Sequence, residues 1–130
     1  MNNKVSDMLI RIKNASMARH QSLELPYSTL AEDLAKLLLK NNYLERVKVE
    51  GKGVDQRIKI ELKYKGKKSA ITDLRQLSKP GLRRYLKAKE IVSLRRSGPG
   101  IVVLSTPQGL LTNFEARAKN TGGEILFEIW

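Results

Sequence analysis

Arg57-Ile58-Lys59-Ile60-Glu61-Leu62-Lys63-Tyr64 alternates strictly between charged and apolar side chains. A repeat of two belongs to a β-strand with one buried and one solvated face, so this stretch predicts a half-buried strand. Upstream, Val47 and Val49 alternate with Arg46, Lys48 and Glu50, and Gly51-Lys52-Gly53 turns the chain between the two runs. Downstream, Lys65-Gly66-Lys67-Lys68 reads as a further hairpin turn, returning through residues 69–74. An antiparallel sheet of this kind needs a cover on its apolar face.

Two helices can supply it. Val5, Met8, Leu9 and Ile12 fall at i, i+3, i+4 and i+7, the stripe of an amphipathic helix that Asn3 or Ser6 can cap. Leu30, Leu34, Leu37 and Leu38 give a second stripe; Thr29 and Glu32 have capping-box spacing, Ser28 can cap instead, and Asn41-Asn42 can close the helix. Between them, residues 22–26 form a short extended stretch with Leu23 and Leu25 on one face. The first half is therefore expected to be two helices on a three-stranded antiparallel sheet, an α+β unit.

Ser78-Lys79-Pro80-Gly81 is the clearest turn, and the domain boundary is placed beside it, giving units 1–74 and 75–130. Beyond it come a short helix or irregular segment at 87–92, a strand at 101–105, a turn at 105–109 and a closing strand at 125–130. Thr112 and Glu115 form a capping-box pair, so a short helix starts there, and Gly122 or Gly123 can end it. The second unit is expected to be mostly β with one or two short helices.

The chain has 130 residues, enough for one domain or two small ones, and 41% of them are hydrophobic. Mean hydropathy is −0.38, and no apolar run is long enough to span a bilayer, so no membrane partner is expected. Met1-Asn2-Asn3-Lys4 has no apolar stretch, so no signal peptide is expected; the lack of cysteine fits a reducing cytoplasm. Charge is the sharper clue. Lys and Arg number 25 against 13 Asp and Glu, a net charge of +12 that a polyanion would neutralise. Arg75, Lys79, Arg83, Arg84, Lys87, Lys89, Arg95 and Arg96 concentrate this charge around Tyr85, with Glu90 the one acid among them. Arginine forks suit phosphates and an aromatic ring suits an exposed base. A solvated basic face with Tyr85 packed into the core is the plainer alternative.

Three segments in fixed order resemble the family of the eighth small-subunit ribosomal protein. They are Asp7-Met8-Leu9-Ile10-Arg11-Ile12-Lys13-Asn14-Ala15, Arg75-Gln76-Leu77-Ser78-Lys79-Pro80-Gly81-Leu82-Arg83-Arg84-Tyr85, and a C-terminal set. The last comprises Gly98-Pro99-Gly100-Ile101, Ser105-Thr106, Gly109, Thr112, Ala116-Arg117 and Gly122-Gly123-Glu124. The resemblance spans almost the whole chain. It implies a structural, non-enzymatic, cytoplasmic protein that binds a stem in the central domain of small-subunit rRNA and has ribosomal proteins as neighbours. It also implies that free protein can bind its own messenger and repress translation.

Ser105 and Thr106 suit the reading of an RNA minor groove, where 2′-hydroxyls are displayed, because a hydroxyl both donates and accepts. The resemblance assigns RNA contacts to the same pair, to Tyr85 and Glu124, and to the Gly122-Gly123 corner. Lys79, Arg83 and Arg84 are read as phosphate contacts, and Glu124 as ordering the loop or accepting from a base amine. Ser28, Thr29 and Arg11 are auxiliary contacts from the first unit. Three positions depart from the family pattern. Pro107, counted with Ser105 and Thr106 among the RNA contacts, replaces a serine and removes a hydroxyl and an amide donor; Thr29 stands where a basic residue is common; Phe127 stands in place of a cysteine.

Catalytic and metal chemistry find little support. His20 is the sole histidine, Asp7 and Asp73 read as a helix-start charge and a strand-end residue, and Gly98-Pro99-Gly100 lacks the Gly-Lys-Ser of a nucleotide loop. No cofactor or metal is expected. A DNA-binding regulator would need a helix with base-reading side chains for the major groove, and a small nuclease would need metal ligands; both rank below RNA binding.

Overall fold

The computed structural model describes residues 3–94 and 98–130. They divide into two compact units, Lys4–Thr72 and Asp73–Trp130, with Asn3 grouped with the latter. The first unit opens with α1 (Asn3–Met17), β1 (Ser22–Pro26) and α2 (Thr29–Lys40). Strands β2 (Leu44–Glu50) and β3 (Arg57–Leu62) follow, joined by a 3-10 turn. The sheet order is β1-β3-β2, antiparallel throughout. The alternating run is thus the central strand. Leu23, Ile60 and Val47 lie in one cross-strand row, and Leu25, Ile58 and Val49 in another. Ser22, Glu61 and Arg46 share a row on the opposite face, where the Arg46 and Glu61 side chains lie 3.7 Å apart.

The sheet has the expected size but a different third member. Residues 69–74 do not join it; the short stretch at 22–26 does. Only a small hairpin forms downstream, β4 (Tyr64–Lys65) with β5 (Lys68–Ser69). From there the Ser69 hydroxyl accepts from Ile71 N and turns the chain away. Val5, Met8, Leu9 and Ile12 are buried on α1; on α2, Leu34, Leu37 and Leu38 are buried together with Ala35, while Leu30 is half-buried. Ser28, rather than Thr29, caps α2, its Oγ accepting from Ala31 N at 3.1 Å. Asn41 closes the helix and Asn42 takes the left-handed conformation beyond it, φ 68°.

The second unit contains β6 (Leu74–Gln76), β7 (Tyr85–Leu86) and α3 (Ala88–Ser93), then β8 (Ile101–Thr106), β9 (Gly109–Thr112), α4 (Asn113–Ala118) and β10 (Gly123–Ile129). Its sheet runs β6-β10-β8-β9, and β7 pairs with the start of β10. Val102, Leu104, Leu111 and Ile125 form a core with Ile91 of α3 and Ala116 of α4. The expected capping box is present. Thr112 Oγ1 accepts from Glu115 N, and Glu115 Oε1 accepts from Thr112 N, each at 3.1 Å. Neither glycine ends this helix. It stops at Ala118, with Lys119 as C-cap and Asn120 left-handed at φ 51°. Asparagine tolerates that conformation better than most side chains, which frees the glycines for the next strand.

Candidate nucleic-acid interface

Ser105 and Thr106 end β8, and Pro107-Gln108 form the two-residue tip before β9 returns. Thr106 pairs with Gly109, whose φ of 101° lets the hairpin close. The two hydroxyls have different surroundings. Thr106 Oγ1 donates to Gly109 O at 2.8 Å and accepts from Gln108 N at 3.1 Å, so it fastens the turn. Ser105 is exposed, and its hydroxyl has no hydrogen bond among the described residues. Pro107 sits at the exposed tip.

Strand pairing then assembles the site. Ser105 lies opposite Leu110 on one side and Glu124 on the other, and Glu124 lies opposite Tyr85. Directly paired residues of antiparallel strands share a face. Leu110, Ser105, Glu124 and Tyr85 therefore form one continuous row. Leu104 and Ile125, one residue along, point to the helix-covered core instead. Tyr85 is 65% exposed, so its ring is on the surface.

Gly122 and Gly123 permit the close approach that this row requires. A Cβ at Gly123 would run into the Ser105 carbonyl oxygen and come 3.0 Å from Thr106 Cγ2. One at Gly122 would run into the Leu86 carbonyl oxygen and come 2.8 Å from Ala88 N. Their role within the protein is to let β8, β10 and β7 meet.

The basic loop is pinned beside the same row. Ser78 is fully buried; its Oγ accepts from Arg84 N at 2.9 Å. Leu77 N and Ser78 N both donate to Leu126 O, Arg84 O accepts from Ile125 N at 3.0 Å, and Lys79 and Leu82 exchange two backbone hydrogen bonds. The cations are not equivalent. Arg75 pairs with Glu128 at 2.7 Å and Arg83 with Glu124 at 3.6 Å. Lys79 and the Arg84 side chain have no ion-pair partner among the described residues, and both are exposed, as are Lys87 and Lys89. Glu90 accepts from Lys87 N at 2.9 Å and so serves the start of α3. Arg95 and Arg96 lie outside the described residues.

In the first unit, Ser28 is the α2 cap, Thr29 is exposed on the first turn, and Arg11 pairs with Asp7 at 3.2 Å. Sequence reasoning placed Ser78 in a turn without foreseeing its bond to Arg84 N, and it missed Asn113. Asn113 is buried, and its Oδ1 accepts from Val102 N at 3.0 Å, tying α4 to β8. Neither hydrogen bond has a local pattern that marks it, because each partner lies several residues away.

Among the described residues, no group of three or more His, Cys, Asp or Glu could hold a metal ion, and no helix is long and apolar enough to cross a membrane. The sequence model of ribosomal protein S8 matches residues 3–130. The chain belongs to the ribosomal protein S8 family. Among its relatives is the small ribosomal subunit protein uS8 of Mycoplasmopsis synoviae, 46% identical over 97% of this chain and 96% of the relative. The uS8 proteins of Rubrobacter xylanophilus and Dictyoglomus thermophilum are 46% and 43% identical, covering 97% of this chain and 96% and 95% of theirs. The family is one of structural ribosomal proteins, not of enzymes.

Proposed function

We propose that this protein is a structural constituent of the small ribosomal subunit and a primary binder of its rRNA. It grips a stem in the central domain, with the second unit supplying the discriminating contacts. The observation that carries this is the row of Ser105, Glu124 and Tyr85 on one sheet face, beside a rigid loop bearing Lys79 and Arg84. An exposed hydroxyl can read a shallow minor groove and a ring can stack on a base, while unpaired cations take phosphate. Thr106, Pro107 and the Gly122-Gly123 corner shape this face, and Arg83 belongs to it through Glu124. Ser28, Thr29 and Arg11 add auxiliary backbone contacts.

The protein works in the cytoplasm on the ribosome, organising the stem early while neighbouring small-subunit proteins dock. In excess over rRNA it binds its own messenger and represses translation. The test is a salt-series titration against a central-domain rRNA stem, a scrambled stem and a DNA duplex. Preference for the cognate stem that persists as salt rises supports the proposal. Equal binding to all three, collapsing together with salt, reduces the chain to a non-specific polycation.

A further inference from the structure

We infer that Arg83 is a positioning residue: its guanidinium holds the Glu124 carboxylate within the Ser105–Tyr85 row and does not itself contact phosphate. This rests on the row being the stem-binding face. Among the cations at 79, 83 and 84, Arg83 alone lies within ion-pair range of a carboxylate, its Nη1 3.6 Å from the buried Glu124 Oε2 and just beyond hydrogen-bond reach. The Glu124 side chain is only 12% exposed. A carboxylate so withdrawn from water needs a neighbouring cation.

The pairing is built into the backbone. Ser78 and Leu126 fix one end of the loop that carries Arg83, and the hydrogen bond from Ile125 N to Arg84 O fixes the other. Arg83 is thereby set beside the residue that precedes Ile125. The arrangement also explains how an acidic side chain can sit in a face meant for a polyanion. With the Arg83 guanidinium beside it, the carboxylate can accept from a base amine with less repulsion of the flanking phosphates.

Wild type, K79A, R83A, R83K, E124Q and R83A/E124Q are titrated with the cognate and scrambled stems across a salt series, with urea midpoints recorded for each. R83A is expected to lose preference for the cognate stem by roughly tenfold, the cost of a misplaced carboxylate, while its salt slope stays near wild type. R83K should recover most of that preference. K79A should keep the preference and lower the slope by about one. In the double-mutant cycle, R83A should add little once Glu124 is glutamine. A slope lowered by about one in R83A with preference intact would mark Arg83 as an ordinary phosphate contact and overturn the inference. Fully additive effects of R83A and E124Q would overturn it too. Wild type with no preference for the cognate stem would instead remove the stem-binding proposal, and this inference with it.

Discussion

Ser105 and Thr106 are adjacent hydroxyls with different tasks. The Ser105 hydroxyl is exposed and unbonded within the described protein, so Ser105→Ala should leave stability within about 0.5 kcal/mol. It should lower preference for the cognate stem by roughly tenfold, the worth of a lost hydrogen bond. The Thr106 hydroxyl is consumed by Gly109 O and Gln108 N. Thr106→Ala should therefore cost about 1 kcal/mol of folding stability, with Thr106→Ser restoring it. Urea unfolding and stem titration on the same three variants separate the roles. Gly123→Ala is the severer change, since its methyl would run into the Ser105 carbonyl oxygen. A loss of roughly 1–3 kcal/mol by urea unfolding is expected, together with loss of stem discrimination, because the displaced strand carries Ser105.

At the scale of elements, α2 carries the pH-sensitive contact. A hydrogen bond from Tyr27 Oη at 3.0 Å, and then the Lys36 ammonium at 3.2 Å, hold the Glu32 carboxyl below the usual carboxylate range. The folded chain therefore keeps Glu32 ionised at a pH where the unfolded chain has begun to protonate it. The resulting stabilisation is complete above the unfolded value and is lost as pH falls through the folded one. Tyr27→Phe removes the larger cause. Urea midpoints measured from about pH 6 down to about pH 3 should fall less steeply in the variant than in wild type.

For the whole molecule, the net charge of +12 acts oppositely on folding and on binding. Self-repulsion weakens as salt shortens the Debye length, so the thermal midpoint of the free protein should rise by a few degrees between about 20 and about 300 mM salt. Affinity for an RNA stem should fall over the same range through counterion release. A calorimetric scan series beside the titration would show the two trends crossing.

Much of the architecture was written in local pattern. The strict alternation over residues 57–64 marked the central strand, and the leucine and isoleucine stripes marked α1 and α2. Thr112 with Glu115 marked the start of α4, and the basic residues around Tyr85 marked the charged loop. These signals survive in sequence because strand and helix periods, caps and turns involve residues at most a few positions apart. Tertiary structure alone chose residues 22–26 over 69–74 as the third strand and moved Gly122 and Gly123 from a helix end to a strand crossing. It also placed Ser105, Glu124 and Tyr85 in one row, gave Ser78 to Arg84, and gave Arg83 to Glu124. Backbone groups pair with whichever remote segment the fold brings to them, and no local period records that choice.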